Sequence, residues 1–326
     1  MTQQIITNSG AAFGTGWVDD QAAVWATVRA IEAQGVPALF EDAAPHLVAA
    51  ADDDAPVFFW EAERRVLGRV LPSWNQKTVG SCVGFGNGRA GQDILLWEIA
   101  AGEPEQYPGA EICPEVIYGG SRVEVGGGRI RGDGSVGAWA AKWVKDWGLV
   151  ARGVYGSLDL TAYDEQTCRR LGSQGIPPDL EAAAKLHPVT AVAMVRTGDD
   201  WWAGTGAGKP SAICSNRGFT TVLRKGFCQP SGQWNHCMEG RGRFRRAGDK
   251  VKCGVIQNSW GAYLGVPTPD DRFIDVWTPA GDIRVELPEG CFATTLDVID
   301  GMLKQEDSFF FAGLKGWEAV RVDYTP

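Results

Sequence analysis

The sequence predicts an α+β fold in two halves, helix-rich first and strand-rich second, with a cleft between them. Apolar residues recur at helical spacing in the first half, as Val24, Val28 and Ile31 and again as Trp139, Trp143, Val144 and Trp147. Runs rich in β-branched and aromatic residues begin only after Pro188. A length of 326 residues accommodates one large or two ordinary domains, and no internal repeat divides it otherwise.

Residues 1–70 read as a leading segment. Within it Asp19 and Asp20 cap a helix that buries Val24, Val28 and Ile31, and Gly35 and Pro37 stop it. The small, acidic run Ala49–Asp54 reads as an exposed connection. After a loop from Leu71 to Val79, a helix opens near Ser81 and buries Ile94, Leu95 and Ile99 despite its glycines. Gly119 to Gly134 is so glycine-rich that it predicts a long irregular loop. The tryptophan-faced helix follows and stops at Gly148, and a short helix over 179–186 ends before Pro188. Strands are expected at 189–195, 219–227, 253–260 and 317–324. The predicted organisation is therefore an extension (1–70), a helical half (71–186) and a β-rich half (187–326).

Composition removes several function classes. A net charge of -9 opposes a protein built to bind nucleic acid or an anionic membrane. No apolar run approaches the roughly 18 residues that span a bilayer, and the first residues lack the basic start and apolar core of a signal peptide, so a cytoplasmic chain is expected. Eight cysteines without a CxxC pair argue against structural zinc, and neither metal nor cofactor is expected. Most of these thiols read as small buried hydrophobes. Arg241, Arg243, Arg245 and Arg246 read as the solvated tip of a hairpin.

One cysteine reads differently. Cys82 follows Gly80-Ser81 at the start of a predicted helix, where free N–H groups and the helix dipole favour a thiolate. Such a nucleophile needs a histidine partner, and the chain has three: His46, His187 and His236. His236 sits between strand-like segments, and Asn258, 22 positions later, is a candidate to orient it.

These stretches resemble the papain-like (C1-type) cysteine peptidases. The family's nucleophile motif, Asn-Gln, three variable residues, Gly-Ser-Cys, two variable residues and Phe, is matched at 75–85 without a gap. Asn235-His236 matches its base motif, Asn258-Ser259-Trp260-Gly261 its orienting motif, and Trp147-Gly148-Leu149 the ending of its helix. The resemblance implies a two-domain papain-like fold, a helical left domain and a β-rich right domain, in a divergent cytoplasmic, phage or bacterial type of member. It implies that Cys82 attacks a peptide carbonyl, His236 moves the proton, Asn258 holds the imidazole, Trp260 shields that bond, and Gln76 donates to the oxyanion. Gly134 and Ser135 align with the backbone that pairs with an extended peptide or protein substrate. Cys237 replaces a small apolar residue after the histidine, Val83 a tryptophan, and Val79 the cysteine of a usual disulfide. The leading segment does not resemble the family's secreted inhibitory prosegments. It is expected either to block the cleft or to dock the chain into a large assembly such as a virus particle, as a structural component.

Overall fold

The computed structural model describes residues 4–7, 10–47, 55–103 and 106–316. The helix Gln21–Glu32 forms as its sequence demands: the Asp20 carboxylate accepts from the Ala23 N–H at 3.0 Å, and Val24, Val28 and Ile31 are buried. The central helix is Cys82–Ala101, 20 residues long, and its first four turns are buried throughout. It packs on the helices Pro114–Gly120 and Gly137–Asp146 on one side and on the strand Pro230–Arg246 on the other. Its glycines permit that contact. A Cβ at Gly86 would stand 2.8 Å from Cys237 Sγ, closer than van der Waals contact allows.

The glycine-rich stretch after Gly119 corrects the expectation of a loop. Pro114 opens a helix at its first turn, and helical backbone continues through a π-helical turn at Ser121–Val125. The glycines there serve packing: at Gly120 a Cβ would lie 2.2 Å from the Trp143 ring. Only from Gly126 does the chain become irregular before the Gly137–Asp146 helix. That helix buries Trp139, Trp143 and Val144 as predicted, and Gly148 beyond it has φ +111°.

After residue 188 an antiparallel sheet dominates. Its spine is the strand Pro230–Arg246, paired with Ser211–Phe219 on one side and Lys252–Gln257 on the other. Val189–Met194 falls in the predicted strand 189–195, and Lys252–Gln257 overlaps the prediction 253–260, which ends three residues too late. The predicted strand 219–227 does not form beyond Phe219: Lys225 and Gly226 both have positive φ, which bends the chain into isolated bridges. The predicted strand 317–324 and the connection 49–54 lie outside the described residues. The arginine cluster is also corrected. Arg241 and Arg243 are buried within the long strand, and only Arg245 and Arg246 approach the hairpin turn. The leading segment is welded to this sheet, since Val57–Phe58 pairs with Gly242 and Arg243 before the helix Trp60–Leu67.

The whole is a two-domain α+β fold. Helices of the first half meet a sheet of the second, and the Cys82 end of the central helix faces the His236 stretch of the spine strand.

Candidate active site

Cys82 is the first residue of its helix and is fully buried. Backbone N–H groups of Val83, Gly16 and Cys237 point at its sulfur. Cys237 directly follows His236, so the β-rich half touches the nucleophile candidate through that N–H. Sheet register brings the remaining parts together. Glu239 faces Gln257 across the antiparallel pair, so the chain past Gln257 runs alongside His236. His236 Nε2 donates to Asn258 Oδ1 at 2.7 Å, and that oxygen also accepts from the Ser259 N–H at 2.7 Å. An oxygen already receiving an N–H fixes the imidazole as the Nε2–H tautomer. His236 Nδ1 then carries a lone pair and has no hydrogen-bond partner, the form a base requires. The Trp260 ring lies 4.8 Å from the imidazole, centroid to centroid, and covers its bond to Asn258.

Gln76 is held on both sides of its amide. Its Oε1 accepts from Ser259 Oγ at 2.5 Å, and its Nε2 donates to Val79 O at 2.9 Å and to Gly14 O at 3.0 Å. Gly14 belongs to a segment that runs through the site. Gly14 N–H donates to Lys77 O, Trp17 N–H to Asn235 O, and Val18 N–H to Ser135 O, while Gly16 O accepts from Ser135 N–H. Trp17 and Ser135 form a parallel bridge. The Phe13 ring stacks on Trp260 at 5.3 Å and 11°. Residues 13–18 therefore touch five of the predicted site positions, Gln76, Cys82, Gly134, Ser135 and Trp260, and also Asn235, which directly precedes His236. Gly134 meets them directly: a Cβ there would lie 2.9 Å from Gly16 O.

Burial governs the electrostatics. Loss of solvent pushes the Cys82 thiol up to about 12, the nearby Cys237 thiol adds to the rise, and the three N–H groups only partly offset it. Burial likewise lowers His236 to about 4, against the opposing bond to Asn258. The helix-start argument for a thiolate is thus overridden while the cleft is covered. Burial favours the neutral form of each group.

Two residues on the far side of the cleft were not singled out from the sequence. Trp17 Nε1 donates to Asp307 Oδ2 at 2.7 Å, and Asp307 also accepts from the Gly137 N–H at 2.7 Å and the Ala138 N–H at 2.6 Å. The only sequence signal for the segment is Gly14-Thr15-Gly16-Trp17, small residues beside one large ring, which fits close passage of backbone past backbone.

Comparison with solved structures supports this architecture. The chain is similar to xylellain, a cysteine protease from Xylella fastidiosa, with 14% identity and a TM-score of 0.52 over 91% of this chain and 90% of that one. It is also similar to digestive procathepsin L 3 of Tenebrio molitor larval midgut, with 13% identity and a TM-score of 0.50 over 82% of this chain and 72% of that one. No protein-family model and no curated protein matches the sequence. At such identities the likeness speaks for fold alone: the chain has the papain-like α+β fold.

Proposed function

We propose that the chain is a cysteine peptidase whose cleft is held shut by its own residues 12–18. The observation that carries this reading is convergence. Gln76 and Cys82 of the nucleophile motif, and Asn235 more than 150 positions later, all contact the backbone of residues 14–17 through hydrogen-bonding groups. A peptide already lies where those groups would engage a substrate.

In this reading His236 Nδ1 takes the Cys82 proton once the segment leaves and water re-enters. The thiolate adds to the substrate carbonyl carbon, and the resulting oxyanion accepts from Gln76 Nε2 and the Cys82 N–H. The imidazolium returns its proton to the leaving amine, forming a thioester on Cys82. His236 then draws a proton from water, which attacks the thioester and releases the acid. Asn258 keeps the ring in the one tautomer that serves both steps. The blocking segment survives beside Cys82 because it presents the Gly16 N–H to the sulfur. Inward packing of residues 12–18 favours a blocking role for the leading segment over assembly docking.

Intact-mass labelling with an epoxysuccinyl thiol reagent tests the reading. The unaltered chain is expected to react slowly, Trp17→Ala to give a single rapid adduct, and Trp17→Ala with Cys82→Ala to give none. A folded Trp17→Ala protein that takes up no reagent would overturn it.

A further inference from the structure

Three of the buried thiols are neighbours, and only Cys82 among them has a part in the proposed chemistry. Cys214, on the strand Ser211–Phe219, lies directly opposite Cys237 on the spine strand. Their backbone N–H groups point away from one another: Cys214 N–H donates to Ser308 Oγ at 3.1 Å, and Cys237 N–H to Cys82 Sγ. An opposed antiparallel pair without mutual backbone bonds has its Cα atoms about 4.5 Å apart and both side chains on one face. A disulfide spans Cα separations of about 4.4–6.8 Å, so this pair can close without moving either strand. The two thiols already interact directly. Cys237 reaches toward Cys82 as well. Its sulfur lies 2.8 Å from where a Cβ of Gly86 would be, and Gly86 is one turn after Cys82 on the same face of the central helix. Cys237 is thus the middle member of a chain Cys82, Cys237, Cys214. All three are fully buried, but their covers differ. Cys82 lies against the Gly16 N–H of the cleft segment, whereas the other two sulfurs press on Gly86 and Gly137 of the helices behind the sheet.

We infer that Cys237 and Cys214 form a dithiol site that takes oxidation off Cys82, with hydrogen peroxide as the oxidant and a Cys214–Cys237 disulfide as the product. The inference rests on the peptidase reading for the uncovering of Cys82, while the pairing of the other two thiols does not. Once uncovered, the Cys82 thiolate attacks one peroxide oxygen. The O–O bond breaks and hydroxide leaves with the proton that Cys82 gave up, so the sulfur is oxidised to a sulfenic acid and the peroxide is reduced to water. Cys237 sulfur then attacks Cys82 sulfur. The S–O bond breaks, an S–S bond forms, and the departing hydroxide takes the Cys237 proton as a second water. Cys214 next attacks Cys237, which expels Cys82 sulfur; that sulfur takes up the Cys214 proton. One peroxide and two thiols have become one disulfide and two waters, and Cys82 is a thiol again. Without Cys237 the sulfenic acid has no neighbour to resolve it, and a second peroxide carries it to the sulfinic acid, a loss that thiols do not reverse.

The test exposes the full chain carrying Trp17→Ala to hydrogen peroxide, blocks the remaining thiols with N-ethylmaleimide in denaturant, and reads intact mass and unreduced peptide maps. The expected product is two hydrogens lighter before blocking, with Cys214 joined to Cys237 and Cys82 alkylated. Adding Cys214→Ala should stop the sequence at a Cys82–Cys237 link. Adding Cys237→Ala should drive Cys82 to the sulfinic acid. Adding Cys82→Ser should leave Cys214 and Cys237 reduced, which separates transfer through Cys82 from direct oxidation of a close pair. The unaltered chain, held longer in peroxide, should reach the same Cys214–Cys237 link, so a Trp17→Ala protein that fails to fold still leaves a result. Sulfinic Cys82 beside reduced Cys214 and Cys237, a link that persists in Cys82→Ser, or no link in either protein would each overturn the proposal. A Cys82 that labels with the epoxysuccinyl reagent yet passes no oxidation on defeats this inference alone, whereas a Cys82 that never labels in folded Trp17→Ala defeats the peptidase reading.

Discussion

Gly14 and Gln76 are hydrogen bonded through the Gly14 carbonyl and the Gln76 side-chain amide, at 3.0 Å. The one side chain that the resemblance assigns to stabilising an oxyanion is thus engaged by the chain's own backbone. On the proposed peptidase reading Gln76 would have two separable tasks, anchoring the block and stabilising charge, and its removal should push two readouts in opposite directions. In Gln76→Ala, alkylation of Cys82 by iodoacetamide should speed up, because the block has lost an anchor. In the opened Trp17→Ala background, peptide hydrolysis should slow by about a hundredfold to a thousandfold, as for other single oxyanion donors. Slower alkylation and unchanged turnover would contradict both assignments.

Gly16 offers a steric route to the same opening. A Cβ at Gly16 would lie 1.9 Å from Gly80 O and 2.4 Å from Gly80 C, backbone atoms rather than the end of a flexible side chain. Gly16→Ala should therefore destabilise the docked segment by about 1–3 kcal/mol, typical of overpacking, without touching a side chain of the site. The expected outcome is a roughly tenfold or greater rise in the rate of Cys82 labelling, with the protein still folded by circular dichroism. An unchanged rate would mean the segment does not control access.

Covering the site sets how Cys82 answers to pH. With the thiol pushed up to about 12, its reactive form is scarce at neutral pH in the closed chain. Its alkylation rate should climb about tenfold per pH unit from pH 7 to 9 with no plateau. In Trp17→Ala, the readmission of water removes the desolvation that raised the thiol and lowered His236 from its usual range to about 4. The rate–pH curve of that variant should level off within the same range. Identical curves would place the cause elsewhere than in the segment.

Asp307 gives a stability signature of its own. Burial raises its carboxyl to about 7, despite the indole and two N–H groups that favour the anion. Between the ordinary carboxyl range near 3.8 and about 7, the folded chain holds a proton that the unfolded chain has lost. Stability therefore rises as pH falls through that window and is flat above it, by at most about 1.4 kcal/mol per unit. The same window should be missing from Asp307→Asn, so the difference in unfolding free energy between the two proteins, measured by urea titration from pH 7.5 to 5, should grow as pH falls. His236 titrates in both proteins and cancels in the difference.

The candidate site residues were legible because each sits in a local motif of the family the sequence resembles: Cys82 after Gly-Ser at a helix start, His236 after Asn, Asn258 before Ser-Trp-Gly. The helices around them were legible wherever one face is apolar, as in Val24, Val28 and Ile31. What stayed hidden depends on the other side of a contact. Gly14 and Gly16 carry no signal of their own until Thr78, Val79 and Gly80 are seen pressed against them. Gly119 and Gly120 read as loop until Leu171 and Trp143 fill the space of the missing side chains. Arg241 read as solvent-facing because its partners are far away in sequence.

Those partners make the last prediction. Arg241 donates to Glu63 and to Gln257 Oε1, the latter at 2.5 Å, with its Nε 3.3 Å from Asp93 Oδ2. Arg89 also bonds Glu63, and Glu239 completes the group. Three buried carboxylates face two guanidinium groups, and burial together with neighbouring Asp93 raises the Glu239 carboxyl well above its usual range. Removing one member strands the others in a site without water, so Arg241→Ala should cost about 3–5 kcal/mol in urea unfolding. Arg246, five positions on, pairs at 2.6 Å with a half-exposed Asp249, and Arg246→Ala should cost no more than about 1 kcal/mol. The contrast bears on the leading segment too, because Glu63 lies within it. Deleting residues 1–19 removes only the block and should leave a folded, reactive protein. Deleting residues 1–70 removes Glu63 and strands Arg89 and Arg241, and that protein should fail to fold cooperatively. If both deletions fold alike, the buried cluster does not depend on the Trp60–Leu67 helix, and the part of the extension that can be shed reaches further than residue 19.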